Sequence, residues 1–275
     1  MPELPETETI ARDLHREIGG LCITGVTVVR RDVLREVTAA RLTRRLTDAR
    51  IARVWRRAKL VVLELSTGDR VVVQPRFTGA LLLDSGALPE RERRYSAVSF
   101  GLEDGRTLHY RDIRRLGTVT LMDGDRFAAY ASALGAEPLD PGFSIAHLSG
   151  VLRASRQAVK KVLMDQRRMA GVGNIYANEA LWRAGVDPSR AARSLADPEI
   201  AALHAAITSV LRQSIAARGT SFRDYLDAAG QPGSFGRALS AYGRGGEPCH
   251  RCGARLIETS AVDGRQTVFC ARCQR

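Results

Sequence analysis

Residues 60–74 read Leu60-Val61-Val62-Leu63-Glu64-Leu65-Ser66-Thr67-Gly68-Asp69-Arg70-Val71-Val72-Val73-Gln74. Two short runs rich in leucine and valine flank the turn signal Thr67-Gly68-Asp69, which predicts strands over Leu60–Leu65 and Arg70–Gln74. The same texture extends both ways, through Ile23–Arg30 and Ile51–Trp55 before it and Ala97–Leu102 and Gly117–Met122 after it. Glu103-Asp104-Gly105-Arg106 supplies a second turn. Repeated short strands with little helix between them predict an antiparallel β-sandwich or barrel across residues 23–122.

On the N-terminal side, Pro5 suits a first helical turn, Glu6 and Glu8 suit its positive end, and Ile10, Leu14 and Ile18 form an apolar stripe. On the C-terminal side, Gly135, Pro138, Pro141 and Gly142 crowd together and mark a linker. Beyond it the pattern is alanine-rich and helical over 151–168, 175–184 and 197–217. Two segments interrupt it: the tight turn Gly171-Val172-Gly173-Asn174, and Gly219 to Gly236, a long glycine-rich loop of the kind that is usually functional or disordered. The expected organisation is α+β: an N-terminal helix and β-sandwich domain (1–130), a linker (131–144), a helical domain (145–240) and a cysteine-bearing module (241–275).

Composition narrows the function. The chain has 275 residues and a formal net charge of +12, which favours a polyanionic partner, most often nucleic acid. It has no apolar run of about 18 residues and no signal-peptide pattern, so no membrane role is expected and the cytoplasm is the default compartment. Of 42 basic side chains only Lys59, Lys160 and Lys161 are lysines. Coding bias accounts for the arginines. A surviving lysine is either chance or a place where a deprotonatable, compact amine is needed.

Removal of Met1 would leave Pro2 as a secondary amine at the chain terminus. An α-amino group titrates near ~7.7–8.0 and lysine near ~10.4, so a terminal amine is the readier nucleophile toward an electrophilic carbon. Glu3 beside it could move the proton that such a step requires. Read locally, the same residues also make an ordinary helix start, and the two readings are compatible.

Cys249-x2-Cys252-x17-Cys270-x2-Cys273 has the spacing of a four-thiolate zinc site on a short β-ribbon. A disulfide framework is the alternative, which a cytoplasmic setting disfavours. With all four positions protein-filled, the zinc is structural. Asp263-Gly264 suits a turn of that ribbon, and Arg265 follows it, either as a solvated surface arginine or as a guanidinium able to enter a DNA groove. Gly171-x-Gly173-Asn174 could offer backbone N–H groups to a phosphate. Cys22 is left over as a small core residue.

Taken together, Pro2-Glu3-Leu4-Pro5-Glu6, Arg56-Arg57-Ala58-Lys59, Asp112-Ile113-Arg114-Arg115, Gly171-Val172-Gly173-Asn174-Ile175-Tyr176-Ala177, Gly219-Thr220-Ser221-Phe222-Arg223-Asp224-Tyr225, Tyr242-Gly243-Arg244 and the four cysteines resemble the formamidopyrimidine-DNA glycosylase/endonuclease VIII enzymes of base-excision repair. The order is kept over essentially the whole chain, and the segments from Leu163 onward look most like the formamidopyrimidine branch. The resemblance implies a helix–two-turn–helix and a β-hairpin zinc finger holding one Zn2+, and a monomer acting on damaged double-stranded DNA. It implies a bifunctional DNA glycosylase/AP lyase that removes oxidised purines and then cleaves the strand by β,δ-elimination. Oxidised-pyrimidine specificity, or a non-catalytic damage binder on the same scaffold, is the alternative.

Residue by residue, it implies Pro2 as nucleophile at C1′, Glu3 as the acid for sugar opening, Lys59 in β-elimination and Arg265 in phosphate binding and δ-elimination. It places DNA contacts at Tyr95, Arg114, Lys160, Asn174, Phe77 and Leu116, and lesion recognition at Glu6, Thr220, Ser221, Arg223, Asp224 and Tyr225. Gly219 to Phe235 matches a loop that closes over an extruded base, which a glycosylase needs because a stacked base is out of reach. The sequence also departs from the family. Phe77, Arg114 and Leu116 stand where a methionine, an arginine and a phenylalanine are usual, so apolar wedges are kept while the aromatic has changed loops. Gln74 and Tyr95 stand where histidines are common, and Ser234 replaces a tyrosine.

Overall fold

The computed structural model describes residues 2–222 and 224–275. The chain divides into two compact units, one comprising the residues up to Ser132 together with Ala217–Gly236, the other Ala133–Ala216 with Arg237–Arg275.

The first unit opens with helix α1 (Leu4–Ile18), capped by Glu3 in a reciprocal capping box with Glu6. Ile10, Leu14 and Ile18 are buried, so the predicted stripe faces the core. The chain continues through β1 (Ile23–Val28), β2 (Leu34–Arg35), α2 (Ala39–Leu46), β3 (Ile51–Arg57), β4 (Leu60–Leu65), β5 (Arg70–Gln74) and β6 (Gly79–Asp84). It goes on through a short α3 (Glu90–Arg93), β7 (Ser96–Leu102), β8 (Thr107–Asp112), β9 (Thr118–Met122) and α4 (Gly124–Ser132). Among the described residues the strands form a sheet of order β1-β7-β8-β6 and another of order β2-β9-β5-β4-β3. Every neighbour pair is antiparallel except the short β2–β9 pair. Val61, Leu63, Val71 and Val73 from one sheet and Leu81, Val98, Phe100 and Leu108 from the other share one core with α1. At about 1.5–3 kcal/mol for each fully buried aliphatic or aromatic side chain, this core dominates the unit's stability.

The segment 217–236, expected within the helical domain, packs with this first unit. The cause is specific packing. Tyr225 and Ala228 sit in the sandwich core, Leu83 N–H donates to Ala228 O at 2.9 Å, and Arg218 pairs with Asp13 of α1 and with Asp227.

The second unit contains α5 (Ile145–Arg153), α6 (Val159–Met164), α7 (Asn174–Ala184), α8 (Asp197–Ala216) and a ribbon of β10 (Ile257–Thr259) and β11 (Thr267–Phe269). The helix expected over 151–168 is two helices. Ser155 takes over the local hydrogen bonding, its hydroxyl accepting from Gln157 N–H at 3.3 Å, the usual way serine competes with a helical ladder. The backbone of Val159 is claimed by Arg190 O at 2.7 Å. β10 and β11 are joined by residues 260–266, so Asp263-Gly264 forms the tip of a longer arm and not a two-residue turn.

Candidate active site and nucleic-acid interface

The capping box determines how the N-terminus is held. Glu3 is buried and N-caps α1, and its N–H donates to Glu6 Oε2 at 2.8 Å. Pro2, one residue earlier, is buried as well. Lys59 reaches the same neighbourhood through the β3–β4 connection. Arg57 pairs with Leu60 across the ladder, leaving Ala58-Lys59 as a two-residue turn with Ala58 at φ 52°. That left-handed conformation is normally glycine's, and alanine holds it here at a cost in strain. The surroundings enforce it: Thr7 Oγ1 donates to Ala58 O at 3.5 Å, Arg56 donates to the same carbonyl at 3.0 Å, and Arg56 Nε donates to Glu8 Oε2 at 2.7 Å. Burial works against the charged Glu8 carboxyl, but the Arg56 and Arg12 guanidiniums outweigh it and lower its pKa. The first turns of α1 therefore carry Pro2 and Glu3 and also anchor the turn bearing Lys59.

The 217–236 loop is fixed at its base. Thr220 N–H donates to Glu6 Oε1 at 2.8 Å. Ser221 Oγ donates to Tyr225 O at 2.8 Å and accepts from Gly233 N–H at 2.9 Å. Asp227 Oδ1 accepts from the N–H groups of Ala229 and Gln231. Several residues expected at the lesion also have partners within the protein. Glu6 and Thr220 are buried, and Tyr225 is a core residue whose hydroxyl donates to Arg218 O at 3.1 Å. Burial raises its phenol pKa. Asp224 lines a broad cleft with Leu88, Pro89, Arg91 and Gln231. Arg223 lies outside the described residues. Phe222, absent from the expected set, is 54% exposed, and Ser234 closes the loop by donating its N–H to Ala217 O at 2.9 Å.

The expected wedge residues occupy two laced loops. Phe77 lies between β5 and β6, and Arg114 and Leu116 lie between β8 and β9. Buried Asp112 accepts from Thr78 Oγ1, from Tyr110 OH at 3.1 Å and from Gly117 N–H at 2.8 Å, and Thr78 Oγ1 in turn accepts from Arg114 N–H at 3.0 Å. Gly117 is required, since a Cβ there would stand 2.1 Å from the Tyr110 hydroxyl and 2.5 Å from Gln74 O. This lacing leaves Phe77 46% and Leu116 40% exposed, with the Arg114 guanidinium 5.3 Å from the Phe77 ring centroid, a cation–π stack. Ile113, also exposed, joins them. Tyr95 lies beside β8, its carbonyl accepting from Asp112 N–H at 3.1 Å and its ring under Arg94. Gln74 ends β5 and lines a small cleft with Leu60 and Thr118.

In the second unit the four cysteine sulfurs lie within 4.8 Å of one another. Zn–S bonds of about 2.3 Å arranged tetrahedrally set S···S edges near 3.8 Å, so the cluster is the right size for one Zn2+. Working against burial, the N–H groups of Arg251 and Cys252 lower the pKa of the Cys249 thiol, while the neighbouring Cys252 sulfur raises that of Cys273. The ribbon is seated on α7. Trp182, Leu256, Val268 and Cys270 share a small core, and Gln274 links Cys270 N–H to Val186 O. Buried Glu179, which the sequence pattern does not single out, accepts from the N–H groups of Ser240, Ala241 and Tyr242.

The tip of the arm presents Arg265, exposed, with its N–H on Asp263 Oδ1 at 3.0 Å. Asn174 starts α7, and its amide donates to Gln266 O at 3.0 Å. Lys160, expected on DNA, is 0% exposed. Its ammonium donates to Thr267 Oγ1 at 2.7 Å, Gln266 O at 3.1 Å and Asp263 Oδ1 at 3.3 Å. Carried on α6, it braces the arm through these three oxygens.

Residues 1–119 match the formamidopyrimidine-DNA glycosylase N-terminal domain, 134–225 the formamidopyrimidine-DNA glycosylase H2TH domain, and 246–275 the zinc finger found in FPG and IleRS. The chain belongs to the formamidopyrimidine-DNA glycosylase family. It is 39% identical over 277 residues to the formamidopyrimidine-DNA glycosylase of Pelotomaculum thermopropionicum, covering 100% of this chain and 99% of that one. It is 40% identical over 278 residues to that of Heliobacterium modesticaldum, covering 100% of both. Among solved structures it resembles Lactococcus lactis Fpg (MutM) in complex with DNA containing N7-benzyl-Fapy-dG, at a TM-score of 0.91, 31% identity and full coverage of both chains. It resembles the MutM (Fpg) protein of Thermus thermophilus at a TM-score of 0.87 and 35% identity, covering 99% of this chain and 98% of that one. As a formamidopyrimidine-DNA glycosylase family member it is an α+β protein with one four-cysteine zinc finger. No helix among its described residues is long and apolar enough to cross a membrane.

Proposed function

We propose that the protein is a DNA glycosylase/AP lyase of base-excision repair that removes oxidised purines, 8-oxoguanine and formamidopyrimidines, from duplex DNA. The observation that carries this reading is the shared seat of Pro2, Glu3 and the Lys59 turn on the first turns of α1, in a chain of this family. With Met1 removed, the Pro2 nitrogen attacks C1′ of the extruded nucleotide, the N-glycosidic bond breaks, and the base leaves with a proton. Glu3 protonates the ring oxygen as the sugar opens, giving an iminium between Pro2 and C1′. Loss of a C2′ proton, with Lys59 serving that transfer, expels the 3′-phosphate in β-elimination. A second elimination expels the 5′-phosphate, with Arg265 pairing with phosphate. Zn2+, when bound by Cys249, Cys252, Cys270 and Cys273, supplies a rigid base for the arm and no acid–base chemistry.

Extrusion of a base leaves a gap in the stack. Phe77, Leu116 and Arg114, all exposed on loops braced by Asp112, have the chemistry to fill it. The N-terminus of α7 and Arg265 suit phosphates, and the net charge of +12 makes binding salt-dependent. The protein acts as a monomer, in the cytoplasm where the chromosome lies. Borohydride reduction during reaction with an 8-oxoguanine duplex tests the reading. A covalent protein–DNA adduct is expected, and it is lost in Pro2→Gly. No adduct and no nicking on oxidised or abasic DNA would leave a damage binder, and an adduct that persists in Pro2→Gly would move the nucleophile to another amine, Lys59 first. An intact mass that includes Met1 would also refute the mechanism.

A further inference from the structure

Glu6 is 1% exposed, and its two carboxylate oxygens serve different parts of the chain. Oε2 accepts the N–H of Glu3 at 2.8 Å, and Oε1 accepts the N–H of Thr220 at 2.8 Å, 214 residues away. A capping box requires only the first of these. The second fastens the start of the loop to the helix turn beneath the catalytic terminus. The Glu3 N–H belongs to the peptide bond that follows Pro2, so whatever orients that N–H orients the plane to which the Pro2 ring is attached. Packing leaves little slack at the junction. Gly219 stands at φ 88°, and a Cβ there would lie 3.0 Å from Glu6 Cγ, 3.1 Å from Glu6 Oε1 and 3.0 Å from the Tyr225 ring.

Other anchors hold the loop elsewhere. Arg218 is paired to Asp13 and Asp227, Phe235 N–H donates to Gly219 O, and Ala228 O accepts from Leu83 N–H. Through Glu6, the loop reaches the first turn of α1.

We propose, resting on the function given above, that Glu6 is a positioning residue that sets the base-capping loop and the nucleophile's peptide together. Each oxygen of its carboxylate accepts one of the two N–H groups. A loop seated over an extruded base then stabilises the orientation of Pro2, and a loop displaced at Thr220 loosens it.

Glu6→Gln tests this directly. The amide keeps the shape but turns one oxygen into an NH2 group facing an N–H, so one of the two contacts must break. Gly219→Ala disturbs the same junction from the loop side. Single-turnover rates are measured for each variant and for the double variant, both for excision of 8-oxoguanine and for cleavage at a preformed abasic site, where no base needs capping. Losing a charge-assisted hydrogen bond is worth roughly a factor of ten to a hundred in rate. Each single variant is expected to lose at least about tenfold more in excision than in abasic-site cleavage, and the double variant to be no worse than the more impaired single one, the signature of coupled residues. Equal losses in the two reactions would reduce Glu6 to a helix cap. Additive losses in the double variant would mean that the loop and the terminus are set independently. Thermal melting of the same preparations monitors folding. A wild-type protein that neither excises nor nicks would overturn the functional reading itself, a result distinct from either of these.

Discussion

Replacing Lys160 by methionine removes an ammonium that three oxygens of the zinc-finger arm surround: Thr267 Oγ1, Gln266 O and Asp263 Oδ1. Volume is nearly conserved, so the change is electrostatic. Gln266 O keeps the Asn174 amide at 3.0 Å and Asp263 Oδ1 keeps the Arg265 N–H, but the Asp263 carboxylate, with a side chain 4% exposed, loses its cation. Breaking a buried pair from one side costs about 3–5 kcal/mol, whereas removing both partners is often close to neutral. Denaturant unfolding of the full zinc-loaded chain is therefore expected to show Lys160→Met destabilised by about that amount, and Lys160→Met/Asp263→Asn restored to within about 1–2 kcal/mol of wild type. DNA binding as a function of salt completes the test. A side chain that neutralised a phosphate would make the log K against log salt slope shallower by about 0.9 on removal. Here the double variant should keep the wild-type slope. A single variant with unchanged stability, together with a double variant whose slope is shallower by about one phosphate, would place Lys160 on DNA and refute the brace.

Cys270→Ser should lower bound zinc, read by elemental mass spectrometry, below one equivalent and reduce the melting temperature, because the thiolate is a ligand and its burial leaves no room for water to replace it; a full equivalent with unchanged melting would refute the four-cysteine site. Glu8 has a folded-state pKa below its ordinary value, so its contribution is complete above the unfolded carboxyl range and disappears as pH falls through the folded pKa. Glu8→Gln should thus be less stable than wild type at neutral pH and show a flatter acid limb in a pH series of melting temperatures; parallel curves would count against it. Gly117→Ala forces a Cβ against the Tyr110 hydroxyl and Gln74 O, and overpacking of this kind costs about 1–3 kcal/mol; a variant with wild-type stability would show that the two wedge loops yield freely.

Periodicity and spacing made much of this protein legible. Valine- and leucine-rich runs separated by Gly and Asp turns are local signals, as are the stripe Ile10-Leu14-Ile18 and the two Cys-x2-Cys knuckles. They emerged as strands, a buried helix face and a sulfur cluster because short-range sterics and chain spacing decide them. Sequence spacing does not report which distant group satisfies a buried charge. The resemblance placed Lys160 among the DNA contacts, and only the structure shows that Asp263, Gln266 and Thr267 hold its ammonium. The resemblance placed Tyr225 at the lesion, and only the structure shows its ring buried in the sandwich core. Glu6 read as a favourable first-turn carboxylate, and its second oxygen acquired a partner only when Thr220 arrived from the far end of the chain. The segment 217–236 joined the first unit for the same reason, since Asp13, Leu83 and the core pull more strongly on it than its neighbours in sequence do. The sequence by itself determined the elements and the chemical groups available. Tertiary structure decided which of those groups remain exposed to meet DNA and which are consumed as internal struts, because a buried polar group must be paired wherever in the chain its partner lies.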